Sequence, residues 1–309
     1  MKPDARIFVA GHRGLVGSAV CRALEIRGFD NVLTRSQDEF DLRDAAQVDA
    51  FFRVERPDYV ILAAARVGGI LANDSFPVEF LRDNLEIQTH VIDAAYRHDA
   101  EKLIFLGSSC IYPRLAPQPI REDSLMTGPL ESTNEWYATA KIAGIRLCQA
   151  YNKQHGFNAI SLMPTNLYGP GDNFDLATSH VLPALIRKFH EAKQSGAGSV
   201  TVWGSGEPRR EFLHVDDLAD AICFLTENYD SPNIINIGVG EDLRIAELAH
   251  LIRDIVGFDG KIVFDHEKPD GTPRKLLDVS KLTAAGWKAN IDLESGIRDT
   301  YRWYLSQLG

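Results

Sequence analysis

Short apolar runs alternate with longer amphipathic stretches through the first half of the chain. Residues 6–10, 32–34, 58–63, 102–106 and 159–163 have the length and apolar character of buried strands. Val16, Val20 and Leu24 repeat at helical spacing before a stop at Gly28. Residues 77–98 form a long amphipathic helix, and a further helix carries Tyr137 and Lys141. Strand and helix in alternation predict an α/β fold of Rossmann type, with a doubly wound parallel sheet. Ligands then gather at the carboxyl ends of the strands.

After Gly171 the pattern changes. A Gly/Asn/Asp loop leads to His180 and a helix bearing Arg187 and Lys188, followed by a polar stretch over residues 193–199. Residues 200–203 and 261–264 read as strands, and residues 245–256 and the last segment as helices. Residues 234–237 return to a buried strand pattern. This predicts a dinucleotide-binding domain over residues 1–170 plus about 212–240. A smaller, discontinuous C-terminal α/β domain for the substrate covers residues 171–211 and 241–309. There are no internal repeats.

Each strand end carries candidate chemistry. Residues 6–10 run into Gly11-His12-Arg13-Gly14-Leu15-Val16-Gly17. Glycines permit a tight turn and let backbone N–H groups approach a pyrophosphate at the positive end of the next helix. The spacing is GxxGxxG, and a plain tight turn has the same look. Arg35, just past the second strand, suits the 2′-phosphate of NADP; a solvated arginine is the alternative reading. Asp41-Leu42 either caps the next helix or approaches the adenine. Ala63 and Ala64 are small enough for a cofactor to lie against the backbone.

Gly107-Ser108-Ser109-Cys110 ends the fourth strand, and Tyr137 and Lys141 stand four apart on the following helix. Residues i and i+4 share one helix face. A nearby ammonium is expected to lower the tyrosine pKa towards the range of a working proton donor. Ser108 can hydrogen-bond the same substrate oxygen. These are the groups needed to reduce a ketone or oxidise an alcohol beside a hydride carrier.

Composition narrows the class. The chain has 309 residues, ordinary apolar and charged fractions, and a formal net charge of −10, which argues against a nucleic-acid surface. No apolar run reaches membrane-span length and the first residues do not resemble a signal peptide, so a cytoplasmic setting is expected. Cys21, Cys110, Cys148 and Cys223 have no zinc-site or CxxC spacing, and no metal is expected. Cys21, Cys148 and Cys223 read as core fillers. For diphosphate, Lys188, Arg210, Arg274 and Lys275 are candidate cations, and Trp203 offers an aromatic face to a base. His214, inside an apolar run, reads as structural.

The glycine turn, Ser108, the Tyr137/Lys141 pair and Phe212-Leu213-His214-Val215-Asp216-Asp217 resemble the extended short-chain dehydrogenase/reductases that act on nucleotide sugars. Residues 11–14, 107–113, 164–170 and 268–275 are similar to the branch converting GDP-4-keto-6-deoxy-D-mannose to GDP-L-fucose. The similarity covers essentially the whole chain. It implies epimerisation at C3 and C5, then reduction at C4 with NADPH, in a homodimer. It also implies that Leu106, Gly107, Pro164, Thr165, Asn166, Leu167 and His180 border the cofactor with the turn residues, Ser108 and Tyr137, and that Lys141 holds the nicotinamide ribose. Ser109, Cys110, Lys188, Trp203, Arg210, Asp270 and Lys275 fall to the substrate. Some members of the branch carry a second basic residue where Gln37 stands. In this reading Cys110 is the base and His180 the acid that invert carbon centres beside the ketone. A small buried cysteine and a backbone-bonded helix-start histidine are the alternatives. A 4-epimerase or 4,6-dehydratase is the nearest competing activity; an inactive nucleotide-binding regulator is a more distant one.

Overall fold

Neighbouring residues on the central strands enter different cores, as the two-residue period of a strand requires. In the computed structural model, every residue except Pro269 is described, and for Ile70 and Leu71 only the backbone is. The string over residues 268–275 therefore has one member, Pro269, outside the described residues. The first half runs β1 (Ile7–Ala10), α1 (Leu15–Ile26), β2 (Val32–Leu33), α2 (Ala45–Glu55), β3 (Tyr59–Leu62), α3 (Ile70–Ser75), α4 (Pro77–Arg97) and β4 (Lys102–Leu106). Then follow α5 (Glu135–His155), β5 (Ala159–Pro164), β6 (Asn166–Tyr168), α6 (Val181–Ser195), β7 (Ser199–Trp203), β8 (Arg209–Arg210), β9 (Phe212–His214) and α7 (Val215–Asn228). The chain closes with β10 (Ile235–Ile237), β11 (Leu243–Arg244), α8 (Ile245–Val256), β12 (Lys261–Asp265), β13 (Arg274–Lys275), α9 (Ser280–Ala284) and α10 (Leu293–Ser306).

Six strands form one parallel sheet in the order β10-β5-β4-β3-β1-β2. Phe8, Val60, Leu62, Leu103 and Phe105 pack on one face with Phe52 of α2, Val91 and Ile92 of α4 and Ile145 of α5. Ile7, Val9, Ile61, Ile104 and Leu106 pack on the other face with Val20 and Leu24 of α1 and Leu218 and Ile222 of α7. Burial on both faces explains why these strands read as continuous apolar runs. At about 25 cal/mol per Å² of apolar surface removed from water, these layers are the main stabilising contribution.

A third core joins α6, α8 and α10 to β7 through Leu185, Phe189, Val202, Leu248, Ile252 and Ile297. Leu277, Leu282 and Trp287 lie in the stretch expected to serve the substrate domain, yet they pack against the cores of the central sheet. The two lobes are thus sewn together by late chain segments. Lys102 adds a polar stitch: its buried ammonium donates to the carbonyls of Thr226 and Tyr229 and to Asp230 at 2.7–2.8 Å. Those carbonyls close α7, where a cation is electrostatically favoured. No helix among the described residues is long and apolar enough to cross a membrane.

The chain runs from β2 at the sheet edge back to β3 on the other side of β1. The crevice between the ends of β1 and β3 is thus the topological switch point where ligands bind in such sheets.

Candidate active site

Gly11 shows why a glycine is needed at that crevice. Its φ is +87°, and an added Cβ would lie 2.7 Å from the Ala64 nitrogen and 3.0 Å from the Ala63 carbonyl carbon. At Gly17 an added Cβ would stand 2.1 Å from the Gly11 oxygen, so α1 reaches this close to the turn only without a side chain. Gly14 precedes α1 with no side-chain cap, and the first turn holds no acidic residue. The helix N-terminus is left for an external anion, which fits a dinucleotide pyrophosphate. Leu106 ends β4 with Gly107 just beyond it, and Pro164 ends β5 beside Thr165, so these residues border the same sheet edge. Asn166 donates to the Glu211 carbonyl at 2.7 Å, and Leu167 lies in β6.

Arg35 pairs with Glu55 at 2.8 Å and lies over the Phe51 ring, 5.5 Å from its centroid. Arg13 and Arg35 both act electrostatically on Glu39, so two guanidinium groups flank the end of β2. The helix-capping alternative for Asp41 is not realised. Asp44 caps α2 by accepting from Ala46 and Gln47, while Asp41 is gripped by the Arg43 guanidinium. Leu42 packs against the first core.

A cleft of about 400 Å³ opens beyond the sheet edge. It brings together Ser108, Cys110 and Tyr137 from the sheet side with Lys188, Trp203, Arg210, Asp270 and Lys275 from the second lobe. His180, immediately before α6, lines it from the second lobe, and Asn166 and Leu167 also border it. Ser108 caps the short turn at Ser109–Ile111 by accepting from the Cys110 N–H at 3.2 Å. Ser109 itself is buried and lines a small side pocket behind Cys110.

The tyrosine electrostatics differ from the sequence expectation. Burial, then the nearby Cys110 sulfur, push the Tyr137 phenol up; hydrogen bonding with Ser108 opposes them. Lys141 does not aim at the hydroxyl. It donates to the Leu106 carbonyl at 2.8 Å, and its ammonium lies 5.8 Å from the Tyr137 ring centroid. Burial holds the Lys141 ammonium down at about 8. His180 is held below its ordinary value by desolvation and then by the charge of Lys275.

On the second lobe, Lys188 and Lys268 lie over Trp203, 5.1 and 5.5 Å from its ring centroid. Asp270 accepts from the Ser205 N–H at 2.9 Å and from its hydroxyl at 2.7 Å. Arg210 donates to the Thr272 carbonyl at 2.6 Å. Lys275 reaches the Cys110 sulfur at 3.6 Å. Arg274 turns away to Asp242.

Asn134 was missed in the sequence: it lines the cleft, and its buried side-chain oxygen has no partner. Its only local signal is its place ahead of the tyrosine helix. Glu211 was missed as well. It is fully buried and accepts from the N–H groups of Val239, Gly240 and Leu277 at 2.6–3.1 Å. Adjacent to Arg210, it ties β8 to the loop after β10 and to the segment after Lys275. His214 accepts from the Asp216 N–H at 3.3 Å and caps α7, a structural role.

Residues 7–238 match the NAD dependent epimerase/dehydratase family. The chain is 59% identical over 305 residues to GDP-L-fucose synthase 1 of Arabidopsis thaliana, covering 99% of this chain and 94% of that protein. The chain belongs to the GDP-L-fucose synthases of that family. Solved structures share the fold over the whole chain. A GDP-L-fucose synthetase from Naegleria fowleri bound to NADP superposes with a TM-score of 0.92 at 32% identity, over 100% of this chain and 96% of that one. A GDP-6-OMe-4-keto-L-xylo-heptose reductase from C. jejuni has a TM-score of 0.95 at 39% identity, over 99% of both chains. The GDP-L-fucose synthase likeness spans both lobes, so the cleft between them lies wholly within it.

Proposed function

We propose that this enzyme converts GDP-4-keto-6-deoxy-D-mannose to GDP-L-fucose, epimerising C3 and C5 and then reducing C4. The observation that carries this reading is one cleft lined by Ser108, Cys110 and Tyr137 on one side and His180 on the other. A 4-ketone acidifies the C–H bonds on both neighbouring carbons. Cys110, as thiolate, removes such a proton; the bonding pair becomes an enolate whose oxygen accepts hydrogen bonds from Ser108 and Tyr137. His180 returns a proton on the opposite face, inverting the carbon. Cys110 then releases its proton to solvent and His180 takes one up, and repetition at the second carbon completes the epimerisation. NADPH, when bound on the glycine turn with Arg13 and Arg35 at its 2′-phosphate, supplies the hydride for C4. Tyr137 then gives its proton to the C4 oxygen. A phenol with a raised pKa keeps that proton until an alkoxide forms, which suits a donor. Lys141 holds the Leu106 carbonyl and with it the strand end on which Ser108 stands.

Lys188, Arg210 and Asp270 are positioned for the GDP portion, with Trp203 as the face for the base. Homodimer formation fits the exposed apolar side chains of Phe76, Val78 and Trp136 at the starts of α4 and α5. Sedimentation of a Trp136→Glu variant tests that pairing. Four unpaired cysteines suit a reducing cytoplasm. The deciding experiment incubates the enzyme with GDP-4-keto-6-deoxy-D-mannose and NADPH and reads product stereochemistry by NMR. A product reduced at C4 with C3 and C5 unchanged makes the enzyme a plain ketoreductase.

A further inference from the structure

Lys275 lies beside the thiol, and its backbone is braced to keep it there. β13 runs parallel to β8, with Lys275 in register with Arg210. One residue on, Leu276 donates its N–H to Gln118 at 2.9 Å, and its carbonyl accepts from the Ile120 N–H at 2.7 Å. The next N–H, of Leu277, is held by the buried carboxylate of Glu211 at 3.1 Å. From this support the Lys275 ammonium reaches the Cys110 sulfur at 3.6 Å, within hydrogen-bond range for sulfur.

The charged surroundings are asymmetric. Cys110 interacts with Lys275 from β13, Arg210 from β8 and the Tyr137 phenol from α5. Arg210 in turn faces Glu131 and Asp270, which draw on its charge. Lys275 therefore stands as the cation hydrogen-bonded to sulfur. It also acts on His180, where its charge disfavours the bound proton and so favours release to substrate.

We propose that Lys275 is a positioning residue for epimerisation, the hydrogen-bond donor and counter-charge to the Cys110 sulfur when that sulfur acts as base. This rests on the epimerisation reading above. In the step it assists, the anionic sulfur takes the proton from carbon, and the C–H pair moves to the enolate oxygen. Lys275 neither gains nor loses a bond to the substrate. Its role differs from that of a diphosphate ligand, which would act on GDP affinity and leave sulfur reactivity alone.

Lys275→Met and Lys275→Arg separate these roles. Alkylation of Cys110 by iodoacetamide at neutral pH, assigned by peptide mass spectrometry, is expected to slow about tenfold in the Met variant and to recover in the Arg variant. Titration with GDP measures any diphosphate contact of Lys275 separately from its effect on the sulfur. Deuterium incorporation at C3 and C5 of the keto sugar, measured at saturating substrate, is expected to fall in kcat in the Met variant and to recover in the Arg variant. A wild-type alkylation rate in Lys275→Met overturns the proposal, whether or not GDP binding has weakened. Lys275→Gln provides the same comparison if the Met variant does not fold. If the wild-type enzyme itself incorporates no deuterium, the epimerisation reading fails, while the alkylation comparison still decides whether Lys275 serves the sulfur.

Discussion

The two walls of the cleft are assembled in different ways. Ser108 and Tyr137, the wall we assign to reduction, come with the buried Lys141 behind them from the end of β4 and from α5. Both elements pack into one core of the central sheet. On the inverting wall, Cys110 leaves the same strand end, but its partners arrive from three other segments. Lys275 meets it across 165 residues of chain. In the proposed mechanism, reduction rests on groups fixed on the sheet, whereas inversion depends on how the second lobe is docked.

The largest expected effect is on the reducing wall. Tyr137→Phe removes the proton donor and is expected to slow single-turnover NADPH oxidation by roughly 10²–10⁴-fold. Deuterium exchange at C3 and C5 should survive better, because Ser108 still supports the enolate. Equal loss of both activities would erase the division between the walls. Cys110→Ser is the reciprocal change. It is expected to reduce exchange by about 10²-fold or more while an already epimerised keto sugar is still reduced. NMR of the recovered sugar checks it, and wild-type exchange would remove the sulfur from the role of base.

A smaller effect is expected at the far end of the cofactor groove. Arg35→Ala should raise the NADPH KM about tenfold while changing the NADH KM little, as loss of a charge-assisted phosphate contact implies. Steady-state kinetics with both cofactors make the comparison, and equal changes would free Arg35 from the phosphate.

The mildest test uses pH. Burial places Lys141 at about 8 in the fold, against 10.5 when freely solvated. Between those values the unfolded chain binds the extra proton, so this residue's contribution to stability rises with pH. Its charge at the strand end is lost over the same interval, so hydride transfer is expected to decline as pH rises through about 8. Lys141→Met should abolish both trends, as denaturant midpoints and single-turnover rates across that interval will show.

Much of the reducing wall was legible because its signals are local. A glycine turn between strand and helix, and two polar side chains four apart, depend on spacing that the chain displays directly. Orientation was not legible: Tyr137 and Lys141 share a face, but the ammonium spends itself on the Leu106 carbonyl. Nor does sequence separate Asp41 from Asp44, because backbone geometry decides which carboxylate meets the free N–H groups of α2. The inverting wall was readable only through resemblance. β8, β11 and β13 have two residues each, too few to show alternation. Glu211 sits among arginines and looks like surface charge, yet it is fully buried on three backbone donors.

Trp203 gives the molecule an optical readout of its own. The chain has four tryptophans, and among the described residues Trp203 is the one that lines the cleft, with more than half its surface exposed between two lysine ammonium groups. A purine seated on that indole would displace cationic neighbours by an aromatic one and change the emission. Substrate capture by the second lobe would then be visible as light before any bond is made or broken, separating arrival of the nucleotide from everything done to its sugar.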